Sequence, residues 1–137
     1  MLNSIKIADL EMGANGERDM LEKIRSRWGG DIEPSADKYA VFDFEGESVS
    51  VELKSRRIRH NQYADLMIGE NKINKASKSA KDVYFVFNCT DGIFYWKYSK
   101  DDVANGVVDF RDGGTIRRGA DETCRCAYIK SAALLPL

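Results

Sequence analysis

The chain has 137 residues, 43% of them hydrophobic and 31% charged, with a formal net charge of −1. That balance belongs to one ordinary globular domain with a single core, and no apolar run approaches the roughly 20 residues of a membrane span. The near-zero charge excludes a globally basic nucleic-acid binder, so any such surface must be local.

Residues 1–13 show no clear period. They also lack a basic segment followed by a long apolar one, so no secretion signal is expected and the protein reads as intracellular, cytoplasmic or nuclear. The first strong element is a predicted helix over Asn15–Trp28. Asn15 suits an N-cap, Glu17 and Asp19 suit the positive end of the helix dipole, and Arg25 and Arg27 suit the negative end. Gly29-Gly30 stops it. Met20, Leu21, Ile24 and Trp28 fall on one apolar stripe. Glu17, three and four residues before Met20 and Leu21, continues that stripe toward the core side. It is either a dipole partner in solvent or a carboxylate aimed inward.

Residues 29–38, GGDIEPSADK, read as a loop. Two β-rich runs follow, Tyr39–Phe44 and Ser48–Leu53, about a turn at Glu45-Gly46-Glu47. This is a predicted hairpin. If Asp43 stands opposite Glu52, then 44 pairs with 51, 45 with 50 and 46 with 49. Directly opposed residues share a face, and so do Glu52 and Lys54, which are two apart. Two carboxylates and an ammonium then converge, and a slip of one residue would undo this. Close carboxylates repel unless a cation lies between them, and an all-oxygen site of this kind suits Mg²⁺ or Mn²⁺. The plainer alternative is an exposed hairpin face with an ordinary Glu–Lys pair.

From Lys54 to Lys81 the chain is strongly basic, with Lys54, Arg56, Arg57, Arg59, Lys72, Lys75, Lys78 and Lys81 against Asp65 and Glu70 alone. Such a run is either a solvated face or, next to the carboxylates, a place for a phosphate backbone. Asn61–Ile68 and Asn71–Ala80 read as two helical pieces broken at Gly69, with Lys72, Lys75 and Lys78 as a drifting stripe. Asp82–Asn88 reads as a central strand buried on both faces, Thr90-Asp91-Gly92 as a turn, and Ile93–Tyr98 as the returning strand, its aromatics serving core and sheet. A helical turn at Asp101–Asn105, a short strand at Val107–Phe110, a polar loop at Arg111–Glu122 with Arg117-Arg118, an edge strand at Cys124–Ile129 and a packed end at Leu134–Leu137 complete the chain. Cys89, Cys124, Cys126 and the lone His60 do not have zinc-ligand spacing, and an odd cysteine count fits free thiols in a reducing compartment.

The order Asp43 … Glu52-Leu53-Lys54 on a hairpin resembles the PD-(D/E)XK nuclease superfamily. The order of helix, hairpin, helix, strand and strand over about residues 15–98 is similar to its restriction-endonuclease-like core, and residues 99–137 form an extension to a single domain of residues 1–137. The resemblance implies an α/β fold with a mixed central β-sheet flanked by helices. It implies that Asp43 and Glu52 bind the metal, that Lys54 orients the nucleophile, and that Glu17, in Gly16-Glu17-Arg18, faces the site from the preceding helix. Gln62 resembles the glutamine that some branches carry on the helix after the E-x-K strand, and a surface role fits it equally. Phe42 stands where the superfamily often has proline, and the Gly-x-Pro-Asp of many virus-type replication-repair nucleases is missing.

The expectation is a metal-dependent endonuclease, a phosphodiesterase acting most naturally on DNA with Mg²⁺ or Mn²⁺. Its catalytic residues would be Asp43, Glu52, Lys54 and Glu17, with backbone contacts from Arg56, Arg57, Arg59, Gln62, Lys72 and Lys75. RNA stays open as a substrate, and a homodimer is allowed by family analogy. Two rivals remain: a non-catalytic nucleic-acid-binding module on the same fold, and a protein-interaction domain that binds no nucleic acid.

Overall fold

In a computed structural model, which describes residues 19–36, 40–112 and 125–137, the chain is an α/β protein built on a mixed six-stranded sheet with a smaller three-stranded sheet beside it. A helix, α1, spans 19–28. The strands are β1 (Glu33–Pro34), β2 (Phe44–Glu45), β3 (Val49–Ser55), β4 (Asp65–Gly69), β5 (Asp82–Cys89), β6 (Gly92–Lys97), β7 (Val108–Asp112), β8 (Arg125–Lys130) and β9 (Leu135–Pro136). Two further helices are α2 (Glu70–Lys78) and α3 (Lys100–Ala104), and Ser131–Ala133 forms a 3-10 turn. The large sheet runs β1-β2-β3-β5-β6-β9 and the small one β4-β8-β7. No helix among the described residues is long and apolar enough to cross a membrane.

The hairpin register is the expected one: Phe44 pairs with Val51 and Glu45 with Ser50. The Gly46 N–H donates to the Val49 carbonyl at 2.7 Å. A Cβ at Gly46 would come within 2.9 Å of Ile32 Cγ1, so a side chain there would have to displace the buried Ile32. Asp31 ties the turn from outside, its Oδ2 accepting from the Glu47 N–H at 2.7 Å. β3 and β5 run parallel, from Val49 opposite Asp82 to Ser55 opposite Asn88. Parallel neighbours need a long crossover, and β4 with α2 supply it.

Strand alternation gives β3 two different faces. Val49 and Val51 pack with Met20, Ile24, Ile32, Phe44, Val86 and Tyr95 under α1. The opposite face looks toward α2 and the small sheet. There Phe85, Phe87 and Trp96 join Ile73 and Ala76 of α2 and Leu66, Ile68, Ala127 and Ile129 of the small sheet in a second cluster.

Four expectations need correction. Asn61–Ile68 is not helical: residues 61–64 form turns and Asp65–Gly69 is β4. Leu66 and Ile68 are buried while Met67 between them is exposed, a period of two, and β4 pairs with β8 from Asp65–Lys130 to Gly69–Cys126. That pairing overrides the helix preference of Ala, Leu and Met. The strand expected as an edge at 124–129 is not one; β8 is the middle of the small sheet, flanked by β4 and β7. The first arm of the hairpin is regular only at Phe44–Glu45, because 41–43 bend away, while Tyr39 lies outside the described residues. The loop at 29–38 contains the short strand β1, which pairs with β2. The start of the first helix, with Asn15 and Glu17, lies outside the described residues, as do Arg117, Arg118 and Cys124.

Candidate active site

Glu52 lies in the middle of β3, opposite Phe85 of β5, and only 2% of it is exposed. Carboxylates are almost never buried so fully without partners. Its Oε2 has two ammonium groups nearby, Lys72 Nζ at 3.2 Å and Lys54 Nζ at 3.7 Å. Its Oε1 is buried and accepts no hydrogen bond. A bare carboxylate oxygen in the interior is costly, and such an atom calls for a cation or a proton.

Asp43 reaches the same spot from the bent arm of the hairpin. It is exposed, and its Oδ2 accepts from the Leu53 N–H at 2.8 Å. Its negative charge lies close enough to Glu52 to be felt there. Burial pushes the Glu52 pKa up from 4.5 to about 7, the Asp43 carboxylate pushes in the same direction, and Lys72 and Lys54 pull against them. The predicted convergence of Asp43, Glu52 and Lys54 is therefore present in the fold.

Lys72 was expected on a free basic stripe. Instead it turns inward, ion-paired to Glu52 and donating to the Val41 carbonyl. The signal for this was in the sequence. Ile73 and Ala76 form the buried face of α2, and Lys72 is one turn before Ala76, so it shares that side. Lys75 and Lys78 are exposed, and Lys81 pairs with Glu45 at 3.1 Å.

The basic run beyond Lys54 is not a loose tail. The Arg56 N–H donates to the Asn88 carbonyl, and its Nη2 donates to the Met67 carbonyl at 3.0 Å, which ties β3 to β4. The Thr90 N–H donates to the Ile58 carbonyl, and the His60 N–H donates to Asp91 Oδ1 at 2.9 Å. The His60 ring stacks on Phe94 with centroids 3.8 Å apart. Arg57 and Arg59 remain exposed on this anchored segment. Gln62 lies in the turn rather than on a helix, and its Oε1 accepts from the Arg59 N–H at 3.4 Å. Glu17 lies outside the described residues; the described part of α1 covers the sheet face opposite Glu52.

Among the described residues no three His, Cys, Asp or Glu side chains group as a metal cage. Two carboxylates are nevertheless an ordinary protein contribution for Mg²⁺, which keeps several waters and takes phosphate oxygens as ligands. The bare Oε1 of Glu52 beside Asp43 fits that donor set. No protein-family model matches the chain, and no curated protein matches it in sequence.

Proposed function

We propose that the chain is a metal-dependent nuclease that hydrolyses phosphodiester bonds, in DNA before RNA. The observation that carries this reading is the buried, unpartnered Oε1 of Glu52 beside the Asp43 carboxyl, with two lysine ammonium groups within 4 Å of the other oxygen. A Mg²⁺ or Mn²⁺ ion held by Asp43 and Glu52 would neutralise charge on the phosphate and acidify a water. The chain's own residues do the rest. Asp43 and Glu52 would hold the cation from two sides of the hairpin. Lys54, about one-third exposed beside Glu52, would orient or activate the attacking water. Lys72 holds Glu52 from the helix side and keeps its carboxylate oriented when the site is empty of phosphate. Arg57 and Arg59, exposed just beyond β3, supply phosphate-backbone contacts that carry no sequence information.

The test is incubation of the purified chain with linear, single-stranded and branched DNA in Mn²⁺ and in chelator. Cleavage in Mn²⁺ alone is expected, and it is lost in Asp43→Asn and Glu52→Gln. A chain that binds DNA in a salt-dependent way and never cuts it belongs instead to the non-catalytic reading.

A further inference from the structure

Three large hydrophobic side chains are well exposed among the described residues, and two of them, Tyr63 and Met67, lie together. Tyr63 is 58% exposed and Met67 38%. They line a cleft of about 300 Å³ with Arg56, Ile58 and Tyr128. The cleft also holds Asp65, whose Oδ2 is taken by Arg111 at 2.5 Å, so its charge is already met. The Arg111 guanidinium in turn lies over the Tyr128 ring, 3.8 Å from its centroid.

The place of this cleft matters. Arg56 follows Lys54 by two residues, just past the end of β3, and its guanidinium bonds the Met67 carbonyl at the cleft's edge. The cleft therefore begins about one strand repeat, roughly 7 Å of chain, beyond the lysine of the candidate active site. Arg57 and Arg59 stand exposed on the same segment.

The backbone on either side of the tyrosine is tied by hydrogen bonds. The turn that carries it is closed by the Gln62 N–H on the Arg59 carbonyl at 3.1 Å. The Ala64 carbonyl accepts from both the backbone N–H and the Oγ of Ser131, at 2.9 and 3.1 Å. An exposed ring on a fixed backbone loses little entropy when something stacks on it.

We infer that the Tyr63–Met67–Tyr128 cleft is a stacking platform for an unpaired nucleobase of the DNA strand, seated beside the phosphate that Arg56, Arg57 and Arg59 would hold. This rests on the nuclease reading and adds a substrate class to it: strands with at least one base out of the duplex stack next to the scissile bond. Aromatic faces take any base, because every base has a π-face, while the flanking arginines match the strand's charge. A protein ligand would have to bring its own anions to the same arginines, and the strand supplies them at every nucleotide.

The experiment uses the full chain in chelator, so that binding is read without cleavage. The probe is a single-stranded oligonucleotide with one 2-aminopurine, compared with the same sequence as a perfect duplex. Wild type is expected to prefer the single strand and to quench the 2-aminopurine. Tyr63→Ala is expected to lower single-strand affinity roughly tenfold, the scale of one lost stacking contact, and to abolish the quench. Tyr63→Phe keeps the ring and should keep both. A Tyr63→Ala protein with wild-type melting behaviour, wild-type quenching and an unchanged ratio of single-strand to duplex affinity overturns the platform. Cleavage in Mn²⁺ is scored separately. A Tyr63-dependent quench without any cleavage keeps the platform and removes the nuclease reading, while cleavage without a Tyr63-dependent quench does the reverse.

Discussion

The two faces of β3 are both buried and differ in chemistry. On one, Val49 and Val51 are sealed under α1 with aliphatic and aromatic neighbours. On the other, Ser50 and Glu52 are just as buried, at 2% exposure each, yet they are polar. Ser50 is satisfied by Glu45, its Oγ donating to Oε2 at 2.6 Å. Glu52 is satisfied on one oxygen only. One strand thus does two jobs by alternation: its apolar side anchors the helix, and its polar side holds a carboxylate at a depth where stability alone would favour a hydrophobic residue. The comparison teaches that burial of Glu52 is not a packing device. It raises the pKa, strips water from the carboxylate and leaves Oε1 without a donor, and the proposed cation would compete with a proton for that place.

The sharpest way to break that comparison is at the carboxylates. Asp43→Asn and Glu52→Gln keep shape and remove the charge a metal needs. Each is expected to lower Mn²⁺-dependent cleavage on the order of a thousandfold, the equivalent of about 4 kcal/mol of transition-state stabilisation. Full cleavage by both, followed on a labelled oligonucleotide, would move the chemistry elsewhere.

The next largest effect separates the faces directly. Val51→Ala, under α1, should destabilise the protein by about 2 kcal/mol through lost burial and a cavity, with or without metal. Lys72→Met should also destabilise the metal-free protein, by roughly 1 to 3 kcal/mol, because it leaves the buried Glu52 carboxylate short of a partner. Mn²⁺ should then restore much of the Lys72→Met loss and none of the Val51→Ala loss. Thermal melts in chelator and in Mn²⁺ decide this, and equal recovery of both variants would contradict it.

How much of this could be read from sequence divides along the same line. The hairpin was legible from two β-rich runs about Gly46, and placing Asp43 opposite Glu52 gave the register that is observed. With it came Asp43, Glu52 and Lys54 at one spot. β5 and β6 were legible as apolar runs about a tight turn. β4 was not, because Ala64–Ile68 is short and mixes helix-favouring residues, and its strand state depends on pairing with β8, some 60 residues away. The inward turn of Lys72 was hidden by treating the lysines as one stripe, when Ile73 and Ala76 already marked which side of α2 is buried. The structural role of Arg56 was hidden for a similar reason: its partner is a backbone carbonyl on a strand that local pattern did not reveal.

The pH dependence of stability sharpens the comparison further. Below 4.5 Glu52 is protonated in both the folded and the unfolded chain. Between 4.5 and about 7 only the folded chain keeps that proton, so rising pH favours unfolding, and above about 7 the loss is complete. In chelator the melting temperature should therefore carry a falling component across that window, and Glu52→Gln should flatten it. Asp43→Asn should shift the window downward, because it removes the neighbouring negative charge. An identical pH profile for wild type and Glu52→Gln would mean that the buried carboxyl does not titrate there.

The smallest expected effect concerns the basic segment. Replacing Arg57 and Arg59 with alanine should weaken binding to all DNA sequences alike and lower the slope of log affinity against log salt by roughly one per lost phosphate contact. Arg56→Ala should add a loss of thermal stability that the other two lack, because its guanidinium bridges β3 to the Met67 carbonyl of β4. A salt slope unchanged in the double variant would place those arginines away from the strand.

The most direct measurement of the central claim is Mn²⁺ titration by calorimetry at a pH above 7, on wild type, Asp43→Asn and Glu52→Gln, with melting temperature followed in parallel. Wild type is expected to bind Mn²⁺ and to melt higher with it, and both variants are expected to lose the binding heat and the thermal shift together. Equal Mn²⁺ affinity and equal thermal shift in all three proteins would contradict a cation site at Asp43 and Glu52.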